Sequence, residues 1–132
     1  MPFEYNYSQD KQILEIATSG VVETSSWPSI IRDSLEEGRK YYCTRYLFDQ
    51  REAKIHVNLG QLFGMPRNAG EFKQPLNARI AILLRKVVPV QKEFIESFNR
   101  DRGFNVKVFD NKGLAVSWLE ENVSPPTVII GP

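Results

Sequence analysis

Asp49, Arg51, Lys54 and His56 crowd one short run, YLFDQREAKIH over residues 46–56. A carboxylate near an imidazole is the composition of a general acid/base pair. His56 is the only histidine, hence the only group that ordinarily titrates near neutral pH. Cations beside an acid at the end of a strand are also the composition of a rim that binds an anion or a partner. The run therefore poses a choice between chemistry and recognition.

Other chemistries lack their residues. There is no GxGxxG and no GxxxxGKS or GxxxxGKT, so neither phosphate-cradling loop is written in the chain. One cysteine and one histidine cannot build a tetrahedral zinc site, and no CxxC occurs. GxSxG is absent. A strand ending in Asp49 resembles a receiver-domain phosphoacceptor, but that chemistry needs acids after an early strand to hold magnesium. Here that stretch reads ATSGVVETSS, with Glu23 alone. Cys43, among Tyr41, Tyr42 and Thr44, reads as a buried, inert thiol in mid-strand. Arg45 shares its strand face with Leu47 and is expected to snorkel or to pair with an acid such as Glu15. No metal or cofactor is expected.

The bulk properties narrow the classes. A chain of 132 residues is one domain by length, and 17 basic against 16 acidic residues leave a net charge of +1. That balance gives no basic stripe, so no nucleic-acid partner is expected. No apolar run reaches the roughly 18–20 residues of a membrane helix. The start, MPFEYNYSQDK, lacks the pattern of a signal peptide, and the single cysteine cannot form an internal disulfide. A cytoplasmic location is the expectation. NVS at 122–124 matches a glycosylation acceptor and is read as chance.

The elements that must position the charged run follow from pattern. Phe3, Tyr5 and Tyr7 alternate with polar residues, SQDK makes a turn, and Ile13 and Leu14 open a second strand ending near Gly20. A helix follows, with Ser25 or a neighbour as cap, Pro28 in its first turn and Gly38 as its stop; Trp27, Ile30, Ile31 and Leu35 share one face. The third strand, ending RYLFD, runs into the charged residues, which read as a turn at its exit. NLGQLFGMPRNAGEFKQ, residues 58–74, reads as a broken helix, and ARIAILL, residues 78–84, as the most apolar and most central strand. The next helix opens at Pro89, lines one face with Val90, Phe94, Ile95 and Phe98, and closes at Gly103. FNVKVFD is the last strand, and Leu114, Ala115, Trp118 and Leu119 turn inward from the last helix. The fold class is α/β: a five-stranded mixed sheet, an antiparallel hairpin and then parallel strands, packed with four helices. Residues 1–122 form one domain and 123–132 an extended tail. Its β-prone Thr127–Ile130 is expected to pack on the domain or to join a second copy as a homodimer.

The last third of this pattern resembles the bacterial SpoIIAA-like group of the STAS-like and CRAL-TRIO-like superfamily. Members of that group end in a strand of type aRiAil, a helix, a glycine, a strand of type vxvFxd and a helix of type eAlaWL. Ala78–Leu84, Gly103, Val106–Asp110 and Leu114–Leu119 stand at those places. YLFDQRE is similar to the group's lvDlR, which places Asp49 and Arg51 on matching positions. The resemblance covers most of residues 10–120. It implies a regulatory role through partner switching, in which a serine or threonine just after this strand is phosphorylated. Here residues 47–58 read LFDQREAKIHVN and hold no hydroxyl, so the usual phosphate has no acceptor. The superfamily also implies lipid carriage, although the chain is short for a deep acyl pocket.

In an open parallel sheet, ligands bind beyond the carboxyl ends of the strands. Arg51, Lys54, Arg85, Lys86 and Lys112 outnumber Asp49, Glu52 and Asp110 on that edge. Helices starting near Ser25, Asn58 and Val88 would turn their amides towards it. The candidate binding residues are Asp49, Arg51, Lys54, His56, Arg85 and Lys86. The leading reading is a non-catalytic regulatory or interaction domain that binds a protein or a small anion. The alternatives are a carrier of a small apolar ligand or lipid, and an enzyme using Asp49 and His56 as an acid/base pair.

Overall fold

Alternation builds the first hairpin. Phe3, Tyr5 and Tyr7 put their rings on one face of β1 (Phe3–Ser8), which pairs antiparallel with β2 (Ile13–Val22), Ser8 opposite Ile13 and Phe3 opposite Thr18. Gln12 closes the turn with a φ of 57°, its N–H donating to the Ser8 carbonyl at 2.7 Å. The structure is a computed structural model that describes residues 3–22, 27–55, 78–101 and 104–121.

The strands lie in the order β1-β2-β3-β4-β5, where β3 is Arg45–Ile55, β4 Arg79–Leu83 and β5 Val106–Phe109. The pairs from β2 to β5 are all parallel, so the sheet is mixed as expected. The middle place belongs to β3 rather than to the 78–84 strand. β4 is apolar because both its faces are covered: Ile80, Ala81, Ile82 and Leu83 are all buried.

Helices α1 (Trp27–Arg39) and α2 (Pro89–Arg100) cover one face, and α3 (Lys112–Glu120) the other. The first face joins Leu14, Ile16, Tyr46, Phe48, Ile80 and Ile82 to Ile30, Ile31 and Leu35 of α1 and Ile95 of α2. The second seats Ala115 and Leu119 on Ile13, Leu47, Ala81 and Leu83. Each fully buried aliphatic or phenyl side chain favours the fold by about 1.5–3 kcal/mol over exposure. Among the described residues there are three helices. The fourth expected helix, over 58–74, lies outside them, as do Ser25, Asn58, Gly103, the Trp27 side chain and the 123–132 tail. No described helix is long and apolar enough to cross a membrane.

Three local expectations change. Cys43 precedes β3 instead of lying within it, because the chain turns at Tyr42 with a φ of 56°. The thiol is buried, and that burial pushes its pKa up, as an inert cysteine requires. α2 is rotated from its expected seat: Ile95 and Asn99 are buried, whereas Val90 and Phe94 are 76% and 49% exposed. On α3 Leu114 is exposed, and Ala115 and Leu119 carry the contact.

Gly38 does not stop α1; it lies within the last turn. Its role is close approach. A Cβ built there would meet the Tyr46 hydroxyl at 2.2 Å and ring carbons at 2.6 and 2.7 Å. Tyr46 is fully buried, and its hydroxyl donates to the Cys43 carbonyl at 3.1 Å, so the ring has no room to swing. The Gly38 carbonyl in turn accepts from Cys43 N–H at 2.9 Å. Gly38→Ala is expected to cost about 1–3 kcal/mol through overpacking, despite the better helix propensity of alanine. Urea unfolding of Gly38→Ala checks this, and a variant as stable as the parent would remove the close-approach account.

Candidate functional site

The charged run is strand, not turn. β3 pairs with β4 only as far as Asp49 opposite Leu83, then continues, among the described residues, against β2 alone, Glu52 opposite Ser19 to Ile55 opposite Val22. Between these two stretches the register slips. Ala17 faces Asp49 and Ser19 faces Glu52, so Gln50 and Arg51 together oppose Thr18. This extra residue is a β-bulge, a feature that bends a strand and re-aims its side chains.

On the α3 face, Arg51 grips Asp49. Its Nε and Nη2 donate to the two carboxylate oxygens at 3.0 and 2.9 Å, and its backbone N–H donates to Oδ1 at 3.1 Å. Burial of Asp49 opposes its charge. The Arg51 hydrogen bonds and charge, with Lys112 beyond, outweigh that and hold the carboxyl below its ordinary range. Arg85 follows β4 and donates to the Arg51 carbonyl at 2.7 Å, with Glu52 at 3.7 Å. Lys112, in the first turn of α3, pairs with Glu15 of β2 at 3.0 Å. Asn111 caps that helix by accepting from Leu114 N–H.

Of the candidate residues, the structure brings Asp49, Arg51 and Arg85 into one network. Lys54 lies exposed on the β2–β3 extension, and Lys86 exposed in the segment after β4. His56 lies outside the described residues. Arg45 does not meet Glu15. It donates to the Lys11 carbonyl at 3.0 Å, because Glu15 is already held by Lys112. The cations expected to outnumber the acids are largely engaged: Arg51, Arg85 and Lys112 each have a carboxylate. Among the described residues no three potential metal ligands converge.

Gln50 is the residue that sequence reading missed. It is 3% exposed, its Nε2 donates to the buried Thr18 hydroxyl at 3.0 Å, and its Oε1 has no partner among the described residues. The signal was parity: Tyr46, Phe48 and Gln50 are two apart and share the core face of β3.

The α2 side of this edge differs. Val88 is the N-cap, in extended conformation, and no side chain caps the helix. Val88, Val90 and Phe94 form an exposed apolar row, and Phe94 stacks on Phe98 with centroids 5.6 Å apart. Arg85 and Lys86 stand exposed just before it.

Strand order, the hairpin and the placement of the helices find a match among solved structures. One is the crystal structure of an uncharacterised protein of the DUF3478 family from Shewanella loihica PV-4, described as having a SpoIIAA-like fold. It aligns with a TM-score of 0.52 and 18% identity, over 89% of this chain and 91% of that one. The fold is SpoIIAA-like. No protein-family model and no curated protein matches the sequence. In this SpoIIAA-like frame Asp49 and Arg51 fall at the end of the pairing between β3 and β4, and they are joined to each other.

The Asp49–Arg51 pair gives a signed pH dependence. A carboxyl with a lowered folded pKa contributes stability that is complete above its ordinary value, 3.8, and is lost as pH falls from there through the lowered value. Asp49→Asn is expected to cost about 1 kcal/mol or less at neutral pH, the scale of a partly exposed ion pair, with the difference vanishing in acid below that value. Arg51→Met removes the guanidinium hydrogen bonds and charge, leaving only the backbone N–H and Lys112 against burial, and is expected to move the Asp49 titration upward. Carboxyl-carbon NMR titration reads both effects, and an Asp49 titration unchanged in Arg51→Met would overturn the pairing.

Proposed function

We propose that this domain is a non-catalytic regulatory or interaction module that docks a protein partner on the carboxyl-end edge of its sheet, centred on the start of α2. The observation that carries the reading is the row of Val88, Val90 and Phe94, left in water beside charged Arg85 and Lys86. Apolar area rimmed by charge is the composition of a protein-binding surface. Asp49 supports the same reading. Its carboxylate is held ionised by Arg51, whereas a general base working at neutral pH needs a raised pKa and a free lone pair. Residues 47–58 carry no hydroxyl, so partner choice here does not run through a phosphate on that segment. Two grooves lined by described residues, of ≈ 560 Å³ beside β1 and ≈ 280 Å³ beside Phe104, are open to solvent, so neither has the form of an enclosed lipid pocket.

A small anion is the second reading. It is favoured by the start of α2, where no side chain caps the amides and no acid lies in the first turn. Phosphate titration followed by amide shifts tests it: shifts confined to residues 85–91 support it, and none at millimolar phosphate removes it.

For the protein partner, Val90→Ser with Phe94→Ser is expected to change stability by about 1 kcal/mol or less, since both residues are largely exposed. The same change is expected to abolish capture of the cross-linked partner that the parent retains. Equal capture by both, or turnover in an activity screen with no partner recovered, would sink this reading.

A further inference from the structure

The two edges of the sheet are finished differently. On β5, Asn105 and Phe109 turn their carbonyls to β4, accepting from Ile80 and Leu84 N–H at 2.9 and 2.8 Å. Alternation then leaves the N–H and C=O of Val108 facing outward. Both are taken by α2. Glu96 Oε2 accepts from Val108 N–H at 2.8 Å, Lys92 Nζ donates to the Val108 carbonyl at 3.0 Å, and the two side chains pair with each other. A helix of the same chain thus occupies the outward groups of Val108, which a further strand would need.

Among the described residues β1 is the other edge. The Ser8 carbonyl turns towards β2, where it accepts from Gln12 N–H at 2.7 Å. By alternation Asn6 and Glu4 turn the same way, and the backbone groups of Phe3, Tyr5 and Tyr7 face outward. No side chain among the described residues reaches them. Along this edge runs the ≈ 560 Å³ groove, lined by Tyr5 to Asp10 and by Tyr41, whose ring stacks on Tyr7 at 4.1 Å.

We propose that the β1 edge is a self-recognition surface, on which β1 of a second copy of this chain pairs antiparallel about a two-fold axis at Tyr5. That register uses every outward group: Tyr5 meets its own counterpart, and Phe3 meets Tyr7 in both directions. The rings of Phe3, Tyr5 and Tyr7 then form cross-strand aromatic pairs on the core-side face, and exposed Glu4 faces Asn6 on the other. A slip towards the N-terminus would lose a pair and set Glu4 against Glu4. A slip the other way would leave Phe3 unpaired. The two-fold closes the contact, so the assembly stops at two copies.

Sedimentation and light scattering over a concentration series test this, with amide exchange as the local readout. The full chain is expected to pass from monomer to dimer as concentration rises, with the Tyr5 and Tyr7 amides becoming protected in the dimer. Asn6→Glu places like charges opposite Glu4 twice across the axis and is expected to weaken the dimer roughly two- to thirty-fold; Asn6→Lys is expected to tighten it by a similar factor. Both positions are exposed, and a thermal melt by circular dichroism confirms that the variants fold. A chain that stays monomeric to millimolar concentration overturns the proposal. So does a dimer indifferent to both substitutions, or one lost on deleting residues 125–132 while Tyr5 and Tyr7 exchange freely.

Discussion

Burial of β3 on both faces is the constraint from which the rest of the structure follows. Tyr46 and Phe48 must be covered from the α1 and α2 side, and Leu47 from the α3 side. That requirement places a parallel neighbour on each flank and helices on both faces, because a parallel strand has no solvent side to spare. It also reaches into local sequence. The Tyr46 ring is so large that α1 can pass over it only at a residue without a side chain, and Gly38 is that residue. The hydroxyl of Tyr46 would be an orphan in the core without the Cys43 carbonyl, so the turn before β3 is tied to the ring it precedes.

The same strand changes character at Asp49. Up to that point it is flanked on both sides; beyond it only β2 remains among the described residues, and the side chains become ionic. The bulge opposite Thr18 marks the change and keeps Gln50 turned into the core. Ionic residues at this edge are thus held by their neighbours, Asp49 by Arg51 and Glu15 by Lys112, while the apolar row is carried by the start of α2, just after Arg85 and Lys86. A partner docking at this end, as proposed, would meet shape and apolar area more than free charge.

Period and punctuation made much of the fold legible. The alternation of Phe3, Tyr5 and Tyr7, the apolar ARIAILL and Pro89 at the start of α2 each fix one element without reference to any other. What remained hidden depends on pairs of elements. The extent of β3 beyond Asp49 is set by β2, which offers partners as far as Val22, and nothing in QREAKI announces it. The partner of Glu15 is chosen between Arg45 and Lys112 by distance in space. The seat of α2 misled for a related reason: Val90, Phe94, Ile95 and Phe98 fit an apolar stripe by period, but polar contacts decide which way the helix turns. At the site, Asp49 and Arg51 stood out as charged residues two apart on a strand, whereas Gln50 between them shows its burial only once the face of Tyr46 and Phe48 is known.

Those polar contacts also separate two kinds of mutational freedom. Lys92 and Glu96 fasten α2 to the backbone of Val108, and Ile95 anchors the helix beneath them. The rotation of the helix is therefore set by three side chains on its inner flank. Val90 and Phe94 on the outer flank can be exchanged without unseating it. Descendants of this sequence can drift in the surface they display while keeping one scaffold, because the residues that hold the helix are not the residues it displays.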